Sequence, residues 1–410
     1  MISLFPKTPR IIKTMNVNAL YIFMGNAAVA LSGFVVIWIM AYRGLLHDLG
    51  VYGSYLGLSA MLFSPLSSTI RTSLVSDIIS TDNIRAIMSA VVIYSAATLG
   101  ALLAYGFLLD ESSNGLLLIV FSTRVIEVLS QISYGIRQKG NDHLGTFTSQ
   151  TAKSILGVVA FTIYSLRFPN DNITYALSAQ LATSLVVFIF ADATILTRAI
   201  PNSGDLAFNS LKGSLSLGGA SALVSVRQQL PRMLLPIISS PEVLGRYMAI
   251  AVLVQPVTML GGAIFQSKFR GFVKYCDSQT PNTLFAKADY ELTRVFPILL
   301  GMLIVVYFWG EMIVNTAYPA SRFDEYHVFI LGALLTAAFL ETSGAMWLYM
   351  PAILKRPSTS LRLSAWTTVI AVLVCACLAA WIGEIGMAIG VAIGSAVHLL
   401  AHKIFTPKYI

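Results

Sequence analysis

The residues of this chain whose types could do chemistry are few, and they stand inside long apolar runs. Arg124 and Glu127 lie three apart in the run Asn114–Ile136, a spacing that puts both on one helix face, where they can pair. Arg227 and Arg232 fall in the run Gly213–Ile238, with Pro231 between them and no acidic residue within a turn. Glu341 interrupts the run Tyr326–Met350 near its middle. A charge in hydrocarbon is costly unless it faces protein or water, so each of these is a functional candidate. Two arginines in one helix need an anion, a carboxylate from another helix, or water. Arg124, Arg227 and Arg232 are therefore candidates for holding an anionic ligand. The plainer alternatives are a structural ion pair for Arg124 and a side chain reaching to the membrane surface for Arg232. Their five-residue spacing puts Arg227 and Arg232 on different faces of a straight helix, so a bend at Pro231 bears on whether both reach one ligand. Glu127 and Glu341 are candidates for a coupling-ion site, H+ or Na+; the alternative for Glu341 is a salt bridge to a spare arginine.

Other polar residues carry weaker signals. Arg71 and Asp77, at the inner end of the second apolar run, could form a cytoplasmic gate, and a solvated loop pair is the plainer reading. Lys153 can snorkel if it lies near a helix end. Asp192 is expected at the interface, and His398 as a core histidine with a satisfied ring. The cysteines, Cys276, Cys375 and Cys377, have too few ligand types around them for a metal or redox site and read as packing. No Ser/His/Asp set, metal cluster or Walker loop is present, so neither a catalytic residue nor a cofactor is expected, and ATP is not the expected driver.

The elements that must position these charges are membrane helices. Of 410 residues, 56% are hydrophobic and 11% charged, against roughly a quarter charged in a soluble domain. Charge-free runs of about 20 residues, enough to cross the hydrocarbon, occur at Asn18–Tyr42, Leu49–Ile70, Ala86–Leu109, Asn172–Ala191, Tyr247–Ser267 and Leu363–Gly383. Admitting one or two charges adds Asn114–Ile136, Thr148–Leu166, Gly213–Ile238, Val295–Tyr318, Tyr326–Met350 and Ile385–Ala401. The basic N-terminal residues precede a first run too long for a signal peptide, so it reads as a retained helix.

Charge distribution tests that reading. With twelve spans and the N-terminus inside, 20 of the 27 Lys and Arg fall in cytoplasmic segments and four, Arg43, Arg167, Arg246 and Arg322, on the opposite face. The remaining three are the candidate arginines. Such loop-by-loop asymmetry is what the positive-inside rule demands. The expected fold is therefore an all-α membrane protein of twelve transmembrane helices with both termini cytoplasmic. The net charge of +8 is then mostly topology, met by anionic lipid headgroups; no nucleic-acid partner is implied.

A possible duplication organises the spans. Leu49-Gly50-Val51-Tyr52 opens the second run, and Leu244-Gly245-Arg246-Tyr247 opens the eighth, at an offset of 195. A tetrapeptide can recur by chance, but its place at the start of the second helix of each half favours duplication. The division expected is an N-terminal lobe over 1–199, a polar linker over 200–212 and a C-terminal lobe over 213–410, six helices each, around a central cavity.

Three stretches carry a family resemblance: LGVYGSYLGLSAMLFSPLSSTIRTSLVSDI; RVIEVLSQISYGIRQKGNDHLGTFTSQTAKS, with Glu127, Ser130, Tyr134-Gly135, Gln138-Lys139, Ser149 and Lys153; and VSVRQQLPRMLLPIISSPEVLGRYMAIA, which joins the seventh and eighth helices. With this topology they resemble the multidrug/oligosaccharidyl-lipid/polysaccharide superfamily, and within it the Wzx-type O-antigen and polysaccharide flippases. The resemblance implies a bacterial inner-membrane protein that carries undecaprenyl-diphosphate-linked oligosaccharide from the cytoplasmic to the periplasmic leaflet by alternating access. Polysaccharide polymerase machinery is then a prospective partner. Arginine suits the diphosphate because its planar fork binds phosphate oxygens bidentately. The rival in the same architecture is an ion-coupled drug or metabolite antiporter, which would favour an acidic, aromatic cavity. A lipid II-type flippase usually has extra spans. A membrane polymerase is disfavoured because the outer loops are too short for an active-site domain.

Overall fold

The computed structural model describes residues 17–75, 84–109, 114–169, 172–199, 215–258, 281–319, 323–353 and 357–406. Among them the chain is helical, with no strand. The first half holds α1 (Val17–Tyr42), α2 (Leu46–Val75), α3 (Ile84–Leu108), α4 (Asn114–Lys139), α5 (His143–Arg167) and α6 (Ile173–Val187). A π-helical turn, Phe188–Ala193, extends α6 into Thr194–Ala199. The second half holds α7 (Leu215–Ile238), the helical residues 241–258 (α8), α9 (Pro281–Ala317) and α10 (Glu325–Ile353). Last comes the long helix Pro357–Phe405, broken by non-helical dihedrals at Ile382 and Gly383 into α11 and α12.

Local chemistry sets the turns. Gly44 ends α1 at φ +73, where few side chains are tolerated. Its N–H donates to Ala41 and that of Leu45 to Met40, a Schellman closure that lets α2 fold back immediately. Asn141 at φ 60 does the same after α4. The Asp142 side chain then caps α5 by accepting from the Gly145 N–H.

Seven stretches of the described residues are long and apolar enough to cross a membrane, and one of them, Thr359–Phe405, is the broken α11–α12 pair. Large apolar side chains cover the outside: Phe107, Phe190, Tyr307 and Trp381 are each more than three-quarters exposed. Such a surface suits lipid and not water. The chain is a multi-pass α-helical membrane protein.

Within the first half α1 packs on α5, α5 on α6, and α2 on α4; within the second, α7 and α10 pack on the α11–α12 pair. The halves meet where α2 packs on α7, over a core that includes Tyr55, Leu58, Leu230, Leu235, Tyr247 and Met248.

Candidate functional site

The contact between the halves is built from glycine and backbone. A Cβ on Gly50 would overlap the Pro241 carbonyl, and one on Gly245 would overlap the Leu46 carbonyl. Those four positions pair at the sequence offset of 195, Leu46 with Pro241 and Gly50 with Gly245, so each Leu-Gly-x-Tyr segment rests on the other's entrance. One turn on, Gly53 lies against the Met248 thioether, and Gly57 lies under the Cβ of Arg232. Gly50, Gly53 and Gly57 thus form a flat stripe on α2 that brings α7 and α8 close. The Tyr105 hydroxyl donates to the Met233 carbonyl at 3.0 Å, a second link across the halves.

Beside this contact lies a cavity of about 460 Å³, lined by Ile37 of α1 and by residues of α7, α8, α10 and α12. Its polar lining includes Arg227, Gln228, Gln229, Arg232, Gln255, Glu341, Thr342 and Ser395. Arg227 and Arg232 both reach it although α7 runs as one helix through Pro231 and Pro236. Arg227 is 4% exposed, and its Nη2 donates to Glu341 Oε1 at 3.1 Å. Of the two readings open for Glu341, the salt bridge to a spare arginine is the one its geometry displays. Arg232 has no carboxylate in salt-bridge range among the described residues; its Nη1 donates to the neutral Gln229 amide oxygen at 2.9 Å. Its charge is therefore uncompensated by a neighbour.

Arg124 and Glu127 pair on α4, as their spacing predicts. Neither lines the cavity, but Arg124 lies close enough to Arg232 and Tyr52 for its charge to act on both. The three arginines therefore form a series from α4 to α7, with Arg232 in the middle and bearing the net charge. Positive potential of this kind, walled by apolar helices, attracts anions.

Of the gate candidates, Asp77 lies outside the described residues. Arg71 is held by α4: its Nε donates to Gln138 and its Nη1 to Gln131, both at 3.2 Å, and its guanidinium lies 5.8 Å from the Tyr134 ring centre.

Two readings change. Asp192, expected at the interface, is fully buried within the protein, and Lys153, far from either end of α5, is held in an ion pair and does not reach outward. The π-turn of α6 directs Asp192 inward to an ion pair with Lys153. Ser149 donates to Asp192 at 3.0 Å, and Lys153 also donates to Ser130 and, at 3.2 Å, to Tyr134. The wider turn also leaves the Ala191 carbonyl to accept from Arg137 at 2.7 Å. No periodicity in the sequence announces a π-turn, so the pair was hidden. The quoted stretch did contain Ser130, Tyr134, Ser149 and Lys153, which the fold now gathers around Asp192. His398 fits its expectation, with Nδ1 3.0 Å from the Thr367 hydroxyl.

No family model matches the chain. A capsular polysaccharide biosynthesis protein, CapF of Staphylococcus aureus, is 25% identical over 332 residues, 77% of this chain and 80% of that protein. Among solved structures, an inward-facing MATE-family multidrug resistance transporter of the MOP superfamily matches with a TM-score of 0.65 at 17% identity, over 97% of this chain and 96% of the other. The lipid II flippase MurJ, in an inward closed conformation, matches with a TM-score of 0.71 at 14% identity, over 95% and 87%. A MOP-superfamily transporter from Pyrococcus furiosus, described as having a binding pocket of reversed polarity, matches with a TM-score of 0.63 at 17% identity, over 96% and 94%. The chain therefore has the fold of these MOP-superfamily transporters and of the MurJ flippase.

Proposed function

We propose that this protein translocates an undecaprenyl-diphosphate-linked oligosaccharide, the repeat unit of a surface polysaccharide, from the cytoplasmic to the periplasmic leaflet. Its two lobes, 1–199 and 213–410, joined by the linker 200–212, alternate access to a central path that this cavity opens onto. Twelve spans with both termini cytoplasmic, in a bacterial inner membrane, is the topology that goes with this reading. The observation that carries it is Arg232, an arginine without a carboxylate partner among the described residues, in a cavity that also holds Arg227. A diphosphate gives such an arginine the charge-assisted bonds its surroundings lack. The glutamines and hydroxyls of the lining suit the sugar, and the polyprenyl tail stays in lipid. CapF, a capsular polysaccharide biosynthesis protein, supports a polysaccharide cargo, with capsule standing beside O-antigen as its destination.

A second reading, an ion-coupled drug antiporter, draws on the MATE-family neighbours. An organic cation would meet the uncompensated charge of Arg232, and that disfavours it.

Arg227→Ala and Arg232→Ala are expected to abolish export of lipid-linked repeat units while the protein stays in the membrane. Radiolabelled surface polysaccharide, with membrane-fraction immunoblots, reads both. Full export by both variants removes these arginines from the mechanism.

A further inference from the structure

The hairpin of α11 and α12 changes character along its length. Near the Gly383 break it is tight: a Cβ on Gly386 would overlap the Leu378 carbonyl, and one on Gly390 would come within 2.8 Å of the Cys375 Cα. Further from the break, the facing residues become polar. Ser395 lines the central cavity; His398, His402 and Thr406 follow on the same face of α12 at helical spacings of three and four. Each of these four is at most 2% exposed. The two imidazoles sit 4.5 Å apart between ring centres. Thr367 of α11 bonds His398, and Gly344 of α10 lets α10 close over the His398 ring, since a Cβ there would lie 3.3 Å from it.

Among the described residues, much of this seam has no protein partner. Both ring nitrogens of His402, the Thr406 hydroxyl and the Ser364 hydroxyl are buried without a hydrogen bond. Nε and Nη1 of Arg227 are buried and unpartnered as well, and the Arg227 charge acts on both imidazoles. Unbonded polar groups at this depth are costly, and buried water is what ordinarily satisfies such groups. Among the described residues, the other charges near the seam are Glu341 on α10 and, at its far end, the Lys403–Asp289 pair at 2.8 Å; Arg362 of α11 is exposed.

We infer that the seam Ser395–His398–His402–Thr406 is a proton path between the Arg227–Glu341 pair and the C-terminal end of α12, and that anion capture by Arg227 is matched by proton uptake on Glu341. The inference rests on the central cavity being an anion site. Arg227 cannot serve a phosphate and Glu341 equally: when the Glu341 carboxylate gains a proton and becomes a neutral acid, its ion pair opens and the guanidinium is free for the anion. A bulky cargo in the cavity blocks solvent there, so the proton travels behind it. Each imidazole accepts a proton on one ring nitrogen and releases one from the other, so every ring ends neutral. The proton comes from bulk buffer at the Thr406 end. When the anion leaves, the proton returns and the ion pair closes.

The test is stopped-flow mixing of the purified full-length protein with undecaprenyl diphosphate, or with inorganic pyrophosphate, in weak buffer containing a pH-indicator dye. The wild type is expected to take up a proton on binding, and Glu341→Gln to bind without uptake. His402→Leu, His402→Gln and Thr406→Val are expected to bind the lipid with unchanged affinity but to slow proton uptake about tenfold or more, as loss of a positioned proton carrier does. The Gln variant keeps a polar side chain of similar size, which separates relay from folding. No uptake by the wild type, no binding of either anion, or wild-type uptake rates in all three seam variants would overturn the inference. Pyrophosphate binding with the same uptake and the same slowing, but no binding of the lipid, would support the seam and overturn the lipid cargo.

Discussion

At the residue scale, the buried charges divide into those held by a partner and those that are not. Lys153 and Asp192 are a closed set: a fully buried carboxylate, an ammonium and four hydroxyls, of Ser130, Ser133, Tyr134 and Ser149, that bond them. Removing one member leaves a buried charge unpaired, which costs about 3–5 kcal/mol, whereas replacing both with apolar residues is often near neutral. Lys153→Met and Asp192→Leu singly are therefore expected to lower the melting temperature in detergent, and the double variant to recover most of it. Equal losses in single and double variants would mean that the pair does not act as one unit. Arg232 is the opposite case. Arg232→Gln is expected to weaken binding of undecaprenyl diphosphate about tenfold to a hundredfold in a direct binding assay, in line with the loss of a charge-assisted contact. Arg232→Lys is expected to recover only part of it, because an ammonium lacks the bidentate fork.

At the element scale, the reciprocal rest of Gly50 on Pro241 and Gly245 on Leu46 is a contact that must break if the halves separate at that end. Gly50→Ala and Gly245→Ala, whose Cβ atoms would overlap the Pro241 and Leu46 carbonyls, are expected to hold the halves apart at that end and to lower export, read by surface polysaccharide against membrane-fraction immunoblots. Wild-type export by both variants would show that the cycle does not need this contact to close. Gly53→Leu places a branched side chain against Met248 and is expected to impair export, read by surface polysaccharide, without loss of the protein from the membrane.

At this same scale the limits of the sequence are clearest. Helix positions were legible because apolar runs of membrane length are long and uninterrupted, and Arg124–Glu127 because i,i+3 spacing fixes a face. The recurrence of Leu-Gly-x-Tyr marked two related positions but could not show that they touch. Pairing of Arg227 with Glu341 was one of two open readings, since residues 114 apart meet only through tertiary packing. The inward turn of Asp192 was illegible because a π-turn rotates the residues after it off the expected face.

At the scale of the whole molecule, a lipid-facing exterior, a cavity beside the contact of the halves and an uncompensated arginine form one consistent set. An anionic headgroup with a long apolar tail can use all three together: the charge in the cavity, the tail in the bilayer. The most direct measurement is to delete the gene in its native host and identify the lipid-linked intermediate that accumulates. Single unpolymerised repeat units on undecaprenyl diphosphate are expected to build up on the cytoplasmic face, with surface polysaccharide lost. Accumulation on the periplasmic face would contradict a flippase and indicate a polymerase, and unchanged surface polysaccharide with altered drug tolerance would indicate an antiporter.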